Sequence, residues 1–309
     1  MQAVSCKPPM PLESGQAATL RRRFSQADFD RFARLSGDDN PIHVDPRFAA
    51  RTRFGRTVAH GMLLYSTLCR LLGTQLPGPG TRQIDQEMVF RFPTYTETEI
   101  LATVTVARID WDTRSAKILT RIALPDGRLA CDGTSRVRLP GPPTEPIVTP
   151  DPEPPPLPSE ADAMGPLRVG QKAVLKRSFG MADLAEYARL SGDSNPLFSD
   201  PDVARACGLS GCIVPGPLLG GLFSCLLGTK LPGRGTNWLK QALAFPAPAL
   251  VGEEISATVE IIRLRPSKHL VNLRGTCTTA DGTTVCRGRS LVLVKDLESA
   301  IPFKEGARS

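Results

Sequence analysis

The segment SGDDNPIHVDP, Ser36 to Pro46, sets a carboxylate, Asp38, five residues before an imidazole, His43, with Asn40-Pro41 between them. Proline holds the residue before it at extended backbone angles, so the segment reads as a loop rather than a helix turn. Such a loop can aim both groups at one spot. A carboxyl and an imidazole sharing one water can do general acid–base work, one taking a proton while the other gives one. Seventeen positions after His43, His60-Gly61 opens the apolar run HGMLLYSTLCRLLG. If that run is a helix, the unpaired N–H groups at its start carry partial positive charge and can hold a carbonyl oxygen that gains negative charge during a reaction. The chain has three histidines, His43, His60 and His269, and two flank this run. Taken alone, the pattern also fits a capped turn with a packed histidine, and Gly61 also fits close helix packing.

The elements that must position these groups are written twice. At an offset of 155 residues, Phe24 maps to Phe179, Asp38 to Asp193, Gly61 to Gly216 and Pro93 to Pro248, and LLGTQLPGPGT returns as LLGTKLPGRGT. A two-unit repeat of this length is a duplicated domain rather than a solenoid. The expected division is a first unit over 1–138, a proline-rich linker over 139–166 and a second unit over 167–309. The linker's proline density forbids helix and central strand and favours extended structure. Each unit reads as α+β. A helix is predicted after the capping Ser25, with Phe29, Phe32 and Leu35 on one face. The run from Gly61 to Gly73 is apolar all round and must be buried on all sides. Strands follow, with Ile100, Ala102, Val104 and Val106 alternating and then Ala116, Ile118, Thr120 and Ile122. Asp126-Gly127 marks a hairpin turn.

The second copy of the loop, SGDSNPLFSDP, keeps Asp193, Asn195 and both prolines but has Phe198 in place of His43, and Pro215 in place of His60. An acid–base pair without its imidazole cannot handle two protons. One site per chain is therefore expected, in the first unit at its boundary with the second. Asp193 is expected to bond N–H groups of its own loop, and its removal to lower stability by about 1–2 kcal/mol.

The 309 residues carry 38 Lys and Arg against 31 Asp and Glu, a net charge of +7, which suits an anionic partner. Arg21 to Arg23 and the group Arg51, Arg53 and Arg56 are the densest basic patches. Aromatic residues are only 6% and none alternates with the basic runs, so a stacking platform for nucleic acid is not expected. The eight cysteines form no Cys-x-x-Cys pair, which leaves no zinc or redox motif. No apolar run reaches the length of a membrane span or a signal peptide, and free cysteines suit the reducing cytoplasm.

The stretch LSGDDNPIHVDPRFAARTRFGRTVAHGML, Leu35 to Leu63, resembles the MaoC-like, (R)-specific enoyl-CoA hydratase family of hotdog-fold proteins, in Asp38, Asn40, Pro41, His43, His60 and Gly61. The resemblance covers the first unit and, more weakly, the second. It implies a sheet wrapped around a central helix in each unit, and two such tandem hotdog units pairing back to back within one chain as a double hotdog. It further implies that Asp38 and His43 activate water for addition to a trans-2-enoyl thioester, a step of fatty acid metabolism. Gly61 would hold the thioester oxygen, with Asn40 and His60 in support. The substrate carries coenzyme A or acyl carrier protein, and neither metal nor separate cofactor is implied. Arg51, Arg53 and Arg56 are candidates for the coenzyme A phosphates. Gly220-Gly221 in the second central run, with Phe198, are candidates for the acyl pocket, because paired glycines inside a helix cost stability and could leave space for a chain. The double hotdog also allows a homodimer. Two other readings are an acyl-CoA thioesterase and a non-catalytic acyl-CoA-binding protein. Gly61 to Gly73 contains no carboxylate, which counts against the first, and the presence of both Asp38 and His43 counts against the second.

Overall fold

A computed structural model of the chain describes residues 11–141 and 158–298. Most of the expected linker, residues 142–157, and Cys6 lie outside the described residues. The first unit runs β1 (Ala17–Arg23), α1 (Gln26–Ser36), α2 (Pro41–Val44), α3 (Pro46–Ala49), α4 (Gly61–Thr74), β2 (Arg82–Phe90), β3 (Glu99–Asp110), β4 (Ser115–Ala123) and β5 (Leu129–Arg138). The second opens with a short ribbon, β6 (Ala163–Met164) and β7 (Leu167–Arg168). It then repeats the order as β8 (Lys172–Ser178), α5 (Met181–Ser191), α6 (Pro201–Ala206), α7 (Gly216–Thr229), β9 (Asn237–Ala244), β10 (Glu254–Arg265), β11 (Leu270–Thr279) and β12 (Thr284–Leu293).

Local chemistry sets the helix ends. The Ser25 hydroxyl accepts from the Asp28 N–H at 3.2 Å and the Asp28 carboxylate accepts from the Ser25 N–H at 2.9 Å, a reciprocal cap on α1. Gly37 closes α1 in the left-handed region, φ 79°, with its N–H on the Ala33 carbonyl. That reversal delivers Asp38 directly after the helix. Phe29, Phe32 and Leu35 form the buried face of α1, as their spacing predicts. Gly127, at φ 82°, turns the chain between β4 and β5.

β1 was not legible as a strand. Its Arg21-Arg22-Arg23 alternates between solvent and the layer below on the outermost strand, where charge protects an open edge. Arg21 meets Glu99 at 2.6 Å, and Arg22 donates to the Leu190 carbonyl of the second unit at 2.8 Å.

The units join edge to edge rather than only back to back. One antiparallel sheet of ten strands runs β1-β3-β4-β5-β2-β9-β12-β11-β10-β8. β2 and β9 form the seam, with Glu87 opposite Ala242, its counterpart 155 residues on, so the pseudo-twofold axis passes there. Buried Gln86 and Gln241, also counterparts, bond to each other across the axis at 2.7 Å. The sheet wraps α4 and α7, which lie against each other. All but three residues of α4 and two of α7 are buried, so neither helix has a polar face to spare.

Candidate active site

Asn40 keeps the extended angles that Pro41 imposes, φ −50° and ψ 123°, but the chain does not continue as a loop. Proline is preorganised for a first helical position, and Pro41 starts the single turn α2, capped by the Asn40 side chain. His43 sits at the end of that turn. Its Nδ1 is 2.7 Å from the Val58 carbonyl oxygen. A carbonyl can only accept, so Nδ1 carries the proton and Nε2 is left with its lone pair. His60 is fixed in the same manner, with Nε2 donating to the Asp38 carbonyl at 2.9 Å. The two imidazoles stack at 3.8 Å with their planes tilted by 27°.

Asp38 is almost wholly buried. It accepts from Ser224 Oγ on α7 at 2.5 Å and from the Asn40 N–H at 3.3 Å. Burial is the largest influence on both members of the pair. It raises the Asp38 carboxyl, against the pull of His43 and the Ser224 bond, and lowers His43, against the pull of Asp38. Burial also keeps His60 neutral, well below the usual imidazole range. Asp38, His43 and His60 offer ligand atoms within 4.8 Å of one another. The ring centroids are 3.8 Å apart with the planes tilted by 27°, so the in-plane lone pairs run side by side rather than toward one point. The arrangement suits proton transfer to a small molecule between them.

A cavity of about 210 Å³ reaches His43, lined also by Gly61, Phe90, Trp238 and Ser224, the residue that bonds the buried Asp38. Gly61 begins α4, and a Cβ there would come 2.6 Å from Phe90 Cζ. The glycine thus serves close packing while the helix start faces the cavity.

Asn40 joins the two units. Its side chain crosses to the second unit, donating to the Thr236 carbonyl and accepting from the Gly235 N–H, both at 3.0 Å. Asn195 does the same in reverse, to the Thr81 carbonyl at 2.8 Å and from the Gly80 N–H at 3.1 Å. The duplicated loops are therefore reciprocal clasps, which explains why the second copy keeps its asparagine.

Of the arginines, Arg53 lines the cavity, with its guanidinium 3.8 Å from Asp296. Arg51 covers Phe48 and Arg56 covers Tyr95, and neither lines it. Their counterparts in the second unit are Ala206, Gly208 and Gly211. Gly220 and Gly221 do not open space for a chain. A Cβ on Gly220 would come 2.5 Å from Met62 Sδ, and one on Gly221 3.1 Å from Ser36 Cβ, so both glycines let other side chains in close. Phe198 belongs to a second cavity, beside Asp193. Ser224, Trp238 and Gly228 were missed. The available signal was a serine inside an otherwise apolar buried helix.

Gly228 has no room for a side chain, since a Cβ would lie 2.8 Å from Asp38 Oδ1 and 2.7 Å from Asn40 Cβ. Its counterpart Gly73 faces Asp193 and Asn195 at 2.8 and 2.9 Å. Gly228→Ala and Gly73→Ala should each destabilise by about 1–3 kcal/mol through overpacking. Only Gly228→Ala should also cut turnover of the folded protein; an equal cut by Gly73→Ala would deny the asymmetry of the two sites.

Two helices enclosed by one sheet, with an aspartate and a histidine at the start of one of them, define a double hotdog with a single complete acid–base site. The family model described as MaoC like domain matches residues 7–122 and again 166–281, and the chain belongs to that family. Over 129 residues it is 45% identical to the (R)-specific enoyl-CoA hydratase of Aeromonas caviae, covering 42% of this chain and 96% of that one. A solved structure described as a MaoC-like dehydratase superposes with a TM-score of 0.72 at 19% identity, covering 91% of this chain and 98% of its own. A conserved hypothetical protein of Mycobacterium tuberculosis, described as having a double hotdog fold, gives 0.70 at 16% identity, covering 91% and 96%. The solved structures show the fold, and the 45% identity to the Aeromonas enzyme over part of the chain supports a general hydratase activity. Among the described residues, no helix is long and apolar enough to cross a membrane.

Proposed function

We propose that the chain catalyses the reversible hydration of trans-2-enoyl-CoA to (R)-3-hydroxyacyl-CoA, at one site formed by both units. The observation that carries this reading is the fixed tautomer of His43, which lines a cavity that also holds a helix N-terminus and has the buried Asp38 carboxyl within 4.8 Å. His43 takes a proton from water as the water oxygen bonds C3. Asp38, whose burial favours its protonated form, gives a proton to C2. The water position then returns the proton from His43 to Asp38, so the pair is reset and the sum is addition of one water. During the step charge builds on the thioester oxygen, and the N–H groups at Gly61 stabilise it. Dehydration is the same path reversed.

Two features support coenzyme A as the carrier. The name of the Aeromonas relative specifies it, and the cationic Arg53 lines the complete site's cavity where the second unit has Gly208. The test is loss of enoyl absorbance with crotonyl-CoA and longer homologues, coupled to an (R)-specific 3-hydroxyacyl-CoA dehydrogenase. Equal rates with enoyl groups on acyl carrier protein would move the carrier, and no turnover on any enoyl thioester would end the reading. The pH profile follows from His43. Because its folded pKa is depressed, it stays a base below the ordinary imidazole value of 6.5. The acid limb of kcat/KM should therefore fall below pH 6.5, and a limb above 6.5 would exclude His43 as the base.

A further inference from the structure

The second unit has its own cavity, lined by Asp193, Asn195 and Phe198 with Cys69 and Gln83 from the first unit. It keeps only about 50 Å³ of free space, against about 210 Å³ at the complete site. That is room for a few waters rather than an acyl group. The pseudo-twofold axis explains the difference. At the complete site, Gly61 and Ser224 flank the reaction centre. Their counterparts in the second site are Gly216 and Cys69, and the Gln83 carboxamide lies between those two groups. Its Nε2 donates to Cys69 Sγ at 2.8 Å. Its Oε1 occupies the space over the first residue of α7, where a Cβ on Gly216 would collide with it. At the same register position the complete site has Trp238, which lines its cavity and leaves the centre open.

We infer that Gln83 is a built-in surrogate for the thioester carbonyl, which occupies the second site and limits each chain to one acyl ligand. This deepens the proposed function. A primary amide is a neutral carbonyl of the right size to sit at a helix N-terminus, where partial positive charge would otherwise face an apolar cavity. Unfilled, the cavity would retain the helix start and apolar walls that hold an acyl thioester without the imidazole that could turn it over. The surrogate removes that unproductive competitor.

The test uses probes that need no turnover, so it stands apart from the hydratase assay. Hexanoyl-CoA, saturated at C2 and C3, should bind the wild-type chain with a stoichiometry of one by calorimetry; two per chain would overturn the inference. Gln83→Ala should lower Tm by a few degrees, and propionamide, the same carboxamide without its backbone, should restore it saturably. Propionamide should leave wild-type Tm unchanged beyond any shift from the first site. An identical response in both proteins would overturn the inference. Gln83→Leu fills the space without a carbonyl, and a Tm equal to wild type would show that volume alone matters, which also defeats it. Should Gln83→Ala fail to fold, the leucine variant and the wild-type stoichiometry still decide.

Discussion

Asp38→Asn and His43→Gln should each lower kcat/KM for enoyl-thioester hydration by about 10²- to 10⁴-fold, the range for loss of a positioned acid or base. Neither should unfold the protein. An asparagine at 38 can still accept from the Asn40 N–H through its oxygen while its amide nitrogen donates to Ser224 Oγ, so both contacts that hold this side chain are kept with one of them reversed. A glutamine at 43 cannot reproduce an N–H on Val58 together with a free lone pair, so it loses the base. Since both groups serve one addition step, the double variant should be little worse than the more damaged single one. What survives is the contribution of the helix start at Gly61 and of binding. Thermal melts beside the kinetics separate loss of chemistry from loss of structure. A folded single variant with near-normal rate would take that residue out of the mechanism.

Asp193→Asn should stabilise the protein, the reverse of what a loop-bonding aspartate suggests. Asp193 accepts from the Asn195 N–H at 3.2 Å, as expected, and from Tyr187 Oη at 3.3 Å. It is also buried, and desolvation, the largest influence, raises its pKa from 3.8 to about 7. Below pH 3.8 the carboxyl is protonated in both folded and unfolded chains, so burial costs nothing. Between 3.8 and about 7 the unfolded chain releases the proton while the folded chain holds it, and stability falls with each pH unit. Above about 7 the loss is complete, on the order of 4 kcal/mol at 1.36 kcal/mol per unit. Asparagine never ionises, and it can accept from Asn195 and donate to the tyrosine oxygen. Its advantage over wild type should appear above pH 4 and reach roughly 2–4 kcal/mol by pH 8. Denaturant melts across that range test the sign, and turnover should be unchanged, because Asp193 lies in the other cavity. An asparagine variant less stable at pH 8 than wild type would mean that the carboxylate is better compensated than its surroundings indicate.

What the sequence disclosed follows one rule, namely that short-range chemistry was legible. Asp38, His43 and Gly61 belong to one continuous stretch, and caps, alternation and hairpin signals act over a few residues. The one local misreading, α2, arose because proline restricts the residue before it while favouring a helix start at itself, and only the first effect was weighed. Everything that crosses the pseudo-twofold axis was hidden. Ser224 is 186 residues from Asp38, and the partner of Asn40 is 196 residues away. Gly220 and Gly221 were misread for the same reason. A glycine looks like empty space in a sequence, whereas Met62 and Ser36, which come close to them, belong to the other unit.

The seam between β2 and β9 makes two copies into one sheet within a single polypeptide. In an assembly of identical subunits every substitution is made twice, so a residue lining one site must also suit its mirror image. Covalent fusion removes that constraint. Serine can face Asp38 while cysteine holds the matching place, and tryptophan can shape an open cavity while glutamine closes the other. The duplicated half is thus free to specialise as the wall and clasp of its neighbour. Its divergence from the motif is a measure of that freedom rather than of decay.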